Sequence, residues 1–183
     1  MVRSLLEGKN TAMVVVDMQE KLVPLMSRKE RLVDNMIILL RLAGLFEIPI
    51  VLTEQYVKWL GGTIRDIIDS LPAYEPIHKM EFNCCEADDF NRRLESLQVE
   101  NIIVAGVETH ICIFQTCFAL LKKGFQVHVP QDAVDSRTDE NWRIGLGLRR
   151  DSGAVISSTE AVVYQVLKKA GTTKFKTMLR MIR

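Results

Sequence analysis

The chain has 183 residues, enough for one globular domain with a sizeable core, and its 48% hydrophobic and 26% charged residues are ordinary for such a domain. A net charge of +1 offers no general positive field for nucleic acid or an anionic membrane. No apolar run approaches the roughly 18 residues of a membrane span. The opening stretch "MVRSLLEGKN" has too short an apolar run for a secretory signal. Four cysteines, Cys84, Cys85, Cys112 and Cys117, form no C-x-x-C and have no histidine at metal-finger spacing. Reduced thiols in a cytoplasm fit that pattern better than a disulfide framework or a zinc site.

In chain order, "AMVVV" (12–16) reads as a strand, and "RKERLVDNMIILLRLAGLFE" (28–47) carries Leu32, Met36, Leu39 and Leu40 at helical spacing. "PIVLT" (49–53) is a second strand, and "EPIHK" (75–79) is a weaker third. A helix over 86–98 shows Phe90, Leu94 and Leu97 on one face, and "NIIVAG" (101–106) is the fourth strand. "ICIFQTCFALLKK" is a helix ending in two lysines before Gly124, a helix-stop pattern with cations at the negative end of the dipole. "QVHVP" (126–130) and "AVISS" (154–158) are further strands, with "ENWRIGLGLRR" and "EAVVYQVLKK" as helices. Strands that are apolar throughout, alternating with helices, predict a parallel sheet covered on both faces: one three-layer αβα domain over 1–183 with right-handed crossovers. The first strand-to-helix turn, "VVVDMQEKL", contains no glycine, which removes a dinucleotide fold or a P-loop.

Three residues at strand ends stand out. Asp17 closes the first strand, where the ligand crevice of an open α/β sheet lies, although Asp17 and Glu20 also have capping-box spacing for the next helix. Cys112 opens the helix after the fourth strand, where the dipole favours thiolate; its company of Ile111, Ile113, Phe114 and Phe118 equally suits a buried packing cysteine. Lys79 ends the weak strand, and an isolated lysine there reads as a surface charge unless an acid and a thiol lie beside it. His110 stands two residues before Cys112, poor geometry for a direct pair within a helix. His78 and His128, on strand segments, read as structural, and Cys117 as core. Together an acid, a cation and a thiol at three strand ends form the constellation of a cysteine amidohydrolase.

"VVVDMQEKL", "VLTEQY", the lysine of "HKMEF", and "VAGVETHICIFQT" followed by "GFQVHVPQDAVDSR" resemble the isochorismatase-like cysteine hydrolase family, in particular its small isochorismatase-domain-containing members. The likeness runs from about Thr11 to the final helix. It implies a six-stranded parallel sheet of order 3-2-1-4-5-6 and an Asp-Lys-Cys triad at Asp17, Lys79 and Cys112. It also implies a cis peptide at Val107–Glu108, with the backbone N–H groups of Glu108 and Cys112 as oxyanion donors. Nicotinamidases of this superfamily hold a metal through an Asp-x-His motif after the second strand; here "TEQYVKWLGG" contains neither residue, so neither a metal nor another cofactor is expected. A retained Cys112 leans towards amide rather than vinyl-ether chemistry. Gln19, Glu54, Gln55, Tyr56, Trp59, Phe82 and Val107 are the expected substrate-binding residues, with the Gly61–Gly62 pair permitting lid motion. Phe175, Met178, Leu179 and Ile182 fall on one helix face, which suits either packing on the chain's own body or a subunit contact. The resemblance favours a homo-oligomer acting on a small molecule. A catalytically idle binding module and isochorismatase-type vinyl-ether hydrolysis are the alternatives.

Overall fold

A computed structural model describes residues 5–182; the first four residues of the opening stretch and Arg183 lie outside the described residues. The apolar runs become β1 (Thr11–Val16), β2 (Ile50–Gln55), β3 (Ile77–Lys79), β4 (Asn101–Val107), β5 (Gln126–Pro130), β6 (Val134–Asp135) and β7 (Val155–Ser157). Every pairing among them is parallel, in the order β3-β2-β1-β4-β5-β7, with β6 beside β4. The sheet therefore keeps the expected order for six strands and adds a seventh. β4 and β5 are in register only from Asn101↔Gln126 to Ile103↔His128. Beyond that point β5 follows β7, and Val134–Asp135 fills the space beside Gly106 and Val107. Two residues are too short for any periodicity to announce.

The helices are α1 (Lys29–Phe46), α2 (Val57–Leu60), α3 (Arg65–Ile68), α4 (Asp88–Leu97), α5 (Phe114–Lys122), α6 (Asp139–Asp151), α7 (Thr159–Leu167) and α8 (Thr173–Leu179). All six residues of β1 and all seven of β4 are buried, the reason their sequences are apolar without alternation. Met13 and Val15 enter one core with residues of α1, α7 and α8, whereas Ala12, Val14 and Val16 enter a second with residues of α4, α5 and α6. Each fully buried Val or Leu contributes about 1.5–3 kcal/mol, so this two-sided burial holds the central strands. Of the C-terminal face, Phe175, Met178 and Ile182 pack against the first core. Among the described residues no helix is long and apolar enough to cross a membrane.

β1 and β4 approach unusually closely where both end. Gly106 pairs with Val16, has φ 123°, and a Cβ there would lie 2.1 Å from the Val16 carbonyl oxygen. Only glycine permits that approach. It brings Asp17 and the Val107–Glu108 peptide, which is cis, to adjacent strand ends.

Candidate active site

The chain order reverses between β1 and β4, and the loops beyond their carboxyl ends form the crevice of an open α/β sheet. Asp17 leaves β1 in the left-handed region at φ 54°, a conformation aspartate tolerates. Its backbone N–H donates to the Thr53 carbonyl at 3.2 Å, and its own carbonyl accepts from the Gln19 N–H at 2.8 Å. The capping reading is thereby displaced: the carboxylate is fully buried and bonded across the sheet. Oδ1 accepts from the Thr53 hydroxyl at 2.8 Å, and Oδ2 from Lys79 Nζ at 2.8 Å.

Lys79 is the last residue of β3, two strands away from β1, and its side chain has no exposed surface. Nζ donates to Asp17 Oδ2, to Gln55 Oε1 at 2.6 Å and to the Glu81 carbonyl at 3.2 Å, which satisfies all three of its N–H groups. Burial works against the ammonium form, but the Asp17 charge beside it leads the opposing effects, and the Lys79 pKa is raised.

Cys112 does not open a regular α-helix. It lies in a single π turn, Thr109–Ile113, that precedes α5. π turns recur at functional sites because they re-aim one side chain without ending the helix. Cys112 is buried, and its thiol lies within the electrostatic influence of Asp17 and Lys79. Burial first, and then the Asp17 charge, raise the thiol pKa; Lys79 pulls it down without cancelling them. The expected effect of the helix dipole is therefore overruled, and the resting group is a thiol facing a carboxylate. The arrangement suits proton transfer from sulfur to Asp17 at the moment of attack.

The remaining expected residues divide into scaffold and rim. Gln19 Nε2 donates to the carbonyls of Gln55 (2.9 Å) and Gly61 (2.6 Å), while its Oε1 accepts from the Gln55 N–H at 2.8 Å. Glu54 is buried: Oε1 accepts from the Thr63 N–H and hydroxyl, both at 2.7 Å, and from the Tyr74 hydroxyl at 2.6 Å, with His78 Nε2 at 3.3 Å from Oε2. Gln55 donates to the Met80 carbonyl and accepts from Lys79. These bonds pin the strap over 56–64. The Gly61 and Gly62 carbonyls accept from Gln19 and from the Glu20 N–H, and a Cβ at Gly61 would lie 2.5 Å from Glu20 Oε2, so the glycine pair fits tightly against this loop. Val107 is buried in the core on the α1 side. Tyr56, Trp59 and Phe82 are exposed, and Lys21 Nζ lies 5.7 Å from the centre of the Trp59 ring system. A depression of about 350 Å³ is lined by Tyr56, Val57, His78, Lys79, Met80 and Glu81.

Glu108 directs its carboxylate away from the cysteine turn to Arg137, whose N–H and Nε donate to Oε2 at 3.0 and 3.1 Å. His110 Nδ1 is 3.0 Å from the Ser136 hydroxyl. Sequence reasoning missed Thr53 and Cys84. The Thr53 hydroxyl bonds Asp17, and Cys84 is buried 3.9 Å from that hydroxyl. "VLTEQY" had signalled the place, but a threonine inside a strand carries no mark of its partner. Among the described residues, no group of three or more His, Cys, Asp and Glu side chains is placed to hold a metal ion.

The family model of the isochorismatase domain matches residues 11–161. A secreted isochorismatase effector, Isc1, of Phytophthora sojae (strain P6497) is 32% identical over 179 residues, spanning 95% of this chain and 85% of that protein. The structure of MAR1 ribonuclease from Caenorhabditis elegans superposes with a TM-score of 0.91 at 30% identity, over 98% of this chain and 92% of that one. The YcaC gene product of Escherichia coli, described as an octameric hydrolase of unknown specificity, has a TM-score of 0.92 at 20% identity, over 99% and 92% of the two chains, and shows likeness of fold alone.

Proposed function

The chain belongs to the isochorismatase domain family, and on that premise we propose that it is a cysteine hydrolase cleaving a C–N bond in a small amide-type substrate. One observation carries the reading: a single buried carboxylate, Asp17, bonds the Lys79 ammonium at 2.8 Å and acts electrostatically on the Cys112 thiol at the switch point of the sheet. Asp17 accepts the proton from sulfur as the thiolate attacks the carbonyl carbon. The N–H groups of Glu108 and Cys112 hold the oxyanion, each such donor being worth ~3 kcal/mol of barrier. Asp17 then gives its proton to the departing amine as the C–N bond breaks. In the second half it takes a proton from water, hydroxide attacks the thioester, and the acid leaves as sulfur recovers its proton. Lys79 holds the Asp17 carboxylate in place through its 2.8 Å bond to Oδ2.

Tyr56, Trp59 and Phe82 form the apolar rim that a substrate meets, with Gln19, Glu54 and Gln55 acting behind it as supports. The relative described as octameric and the exposed aromatic rim support a homo-oligomer, and four free cysteines support a cytoplasmic location. Vinyl-ether cleavage is the second reading, favoured by the family's name; an idle oligomeric module is the third.

The test incubates the protein with a panel of small amides, a vinyl ether and single-stranded RNA, and follows product and intact mass. The wild type is expected to release amine and to carry an acyl group that maps to Cys112. Cys112→Ala is expected to stay folded and to lose both. Turnover by Cys112→Ala refutes the covalent route, and vinyl-ether cleavage by that variant establishes the second reading. RNA cleavage without acylation refutes the amide assignment.

A further inference from the structure

Resting on the hydrolase reading above, we propose that Arg149 is a positioning residue, which sets the backbone turn from which Cys112 projects by donating to the Thr109 carbonyl. The turn that carries Cys112 departs from the α register: the Ile113 N–H donates to the Glu108 carbonyl at 3.2 Å, five residues back. Arg149 Nη1 reaches into it from outside and donates to the Thr109 carbonyl at 2.7 Å.

Helix α6 is shaped to deliver it. Gly145, one turn before Arg149 on the same face, lies so near the turn that a Cβ there would be 2.8 Å from the His110 nitrogen and the Thr109 carbonyl carbon. The Thr109–His110 peptide is thus clamped between a bare helix backbone and a guanidinium.

The arrangement is costly. Arg149 is fully buried, and among the described residues its Nε and Nη2 and the Thr109 hydroxyl have no hydrogen-bond partner. Packing alone would be better served by an aliphatic side chain of similar size. What arginine adds is a buried charged donor fixed on the Thr109 carbonyl, three residues before Cys112. Without it the turn relaxes towards the α register, which rotates Cys112 about the helix axis and away from Asp17.

The test reads the pH profile of Cys112 alkylation by acrylamide, followed by intact-protein mass spectrometry with Cys112→Ala as control. The groups facing the thiol are Asp17, Lys79 and Cys84. Burial first, and then the Asp17 charge, hold the wild-type midpoint above the ordinary thiol value of about 8.5. Arg149→Met is expected to keep its melting temperature yet move the midpoint down by about one unit, a tenfold gain in thiol acidity. Arg149→Lys, which retains a donor, is expected to return most of the shift. An unchanged midpoint in Arg149→Met, or equal shifts in Met and Lys, overturns the proposal while leaving the hydrolase reading intact. If Arg149→Met does not fold, Gly145→Ala presses on the same peptide from the other side and must shift the midpoint; no shift overturns the proposal. A wild-type midpoint at the ordinary value removes the Asp17–Cys112 contact, and the hydrolase reading falls together with this one.

Discussion

Replacing Lys79 by methionine deletes the ammonium and keeps a stem of similar length. Three hydrogen bonds disappear, to Asp17 at 2.8 Å, Gln55 at 2.6 Å and the Glu81 carbonyl at 3.2 Å. The Asp17 carboxylate, fully buried, then keeps the Thr53 hydroxyl but has lost its cation. Breaking a buried pair from one side costs ~3–5 kcal/mol, because an uncompensated charge remains. Domains of this size hold roughly 5–15 kcal/mol and lose about 2–4 °C of melting temperature per kcal/mol, so the expected fall is roughly 6–20 °C. Adding Asp17→Asn removes the stranded charge and should return at least half of the loss, a coupling that a double-mutant cycle measures directly. The assay is thermal unfolding at pH 7 by circular dichroism. There the pair contributes in full: the Lys79 pKa is raised, so its stabilisation is present below the unfolded lysine value of about 10.4 and fades only as pH climbs through the folded value. A single variant melting within about 2 °C of the wild type, or strict additivity in the double, refutes the buried-pair argument.

Two pH effects accompany it. Burial pushes the thiols of Cys84, Cys85 and Cys117 up to about 11, about 12 and about 12, and that of Cys112 upwards as well. Unfolded thiols ionise near 8.5, so above that pH the native state holds more protons and stability falls; four such groups give a limiting slope of roughly 5 kcal/mol per pH unit. Urea midpoints between pH 7.5 and 10 check this, and a flat profile contradicts it. In acid, His128 acts with the opposite sign. It is buried, accepts from the Gln126 side-chain amide at 2.8 Å, and burial lowers its pKa to about 4. Because the unfolded imidazole protonates first, stability should drop as pH falls from about 6.5 towards 4, and His128→Leu should flatten that limb in the same denaturation series.

The apolar strands, the helix stops and the position of Asp17 and Cys112 at strand ends were all legible in the sequence, because burial on both faces leaves runs that no solvent-facing strand would carry. β6 was not, since two residues have no period. Nor was the π turn: apolar spacing around Cys112 reads as ordinary helix, and only the packing of α6 against it decides otherwise. Gln19 and Glu54 looked like pocket residues by adjacency, yet their polar atoms are taken by Gln55, Gly61, Thr63 and Tyr74. Adjacency in sequence places a residue near a site, while the direction of its side chain depends on partners many residues away.

By itself the sequence determined the fold class, a sheet covered on both faces, and the family, since hydrophobic patterning and local motifs are properties of consecutive residues. The tertiary structure alone decided that Lys79, sixty-two positions from Asp17, reaches its carboxylate, and that Cys112 rests as a thiol rather than a thiolate. Both depend on burial and on charges brought together from separate strands, and electrostatic energy in a desolvated site is set by distances that no local pattern encodes.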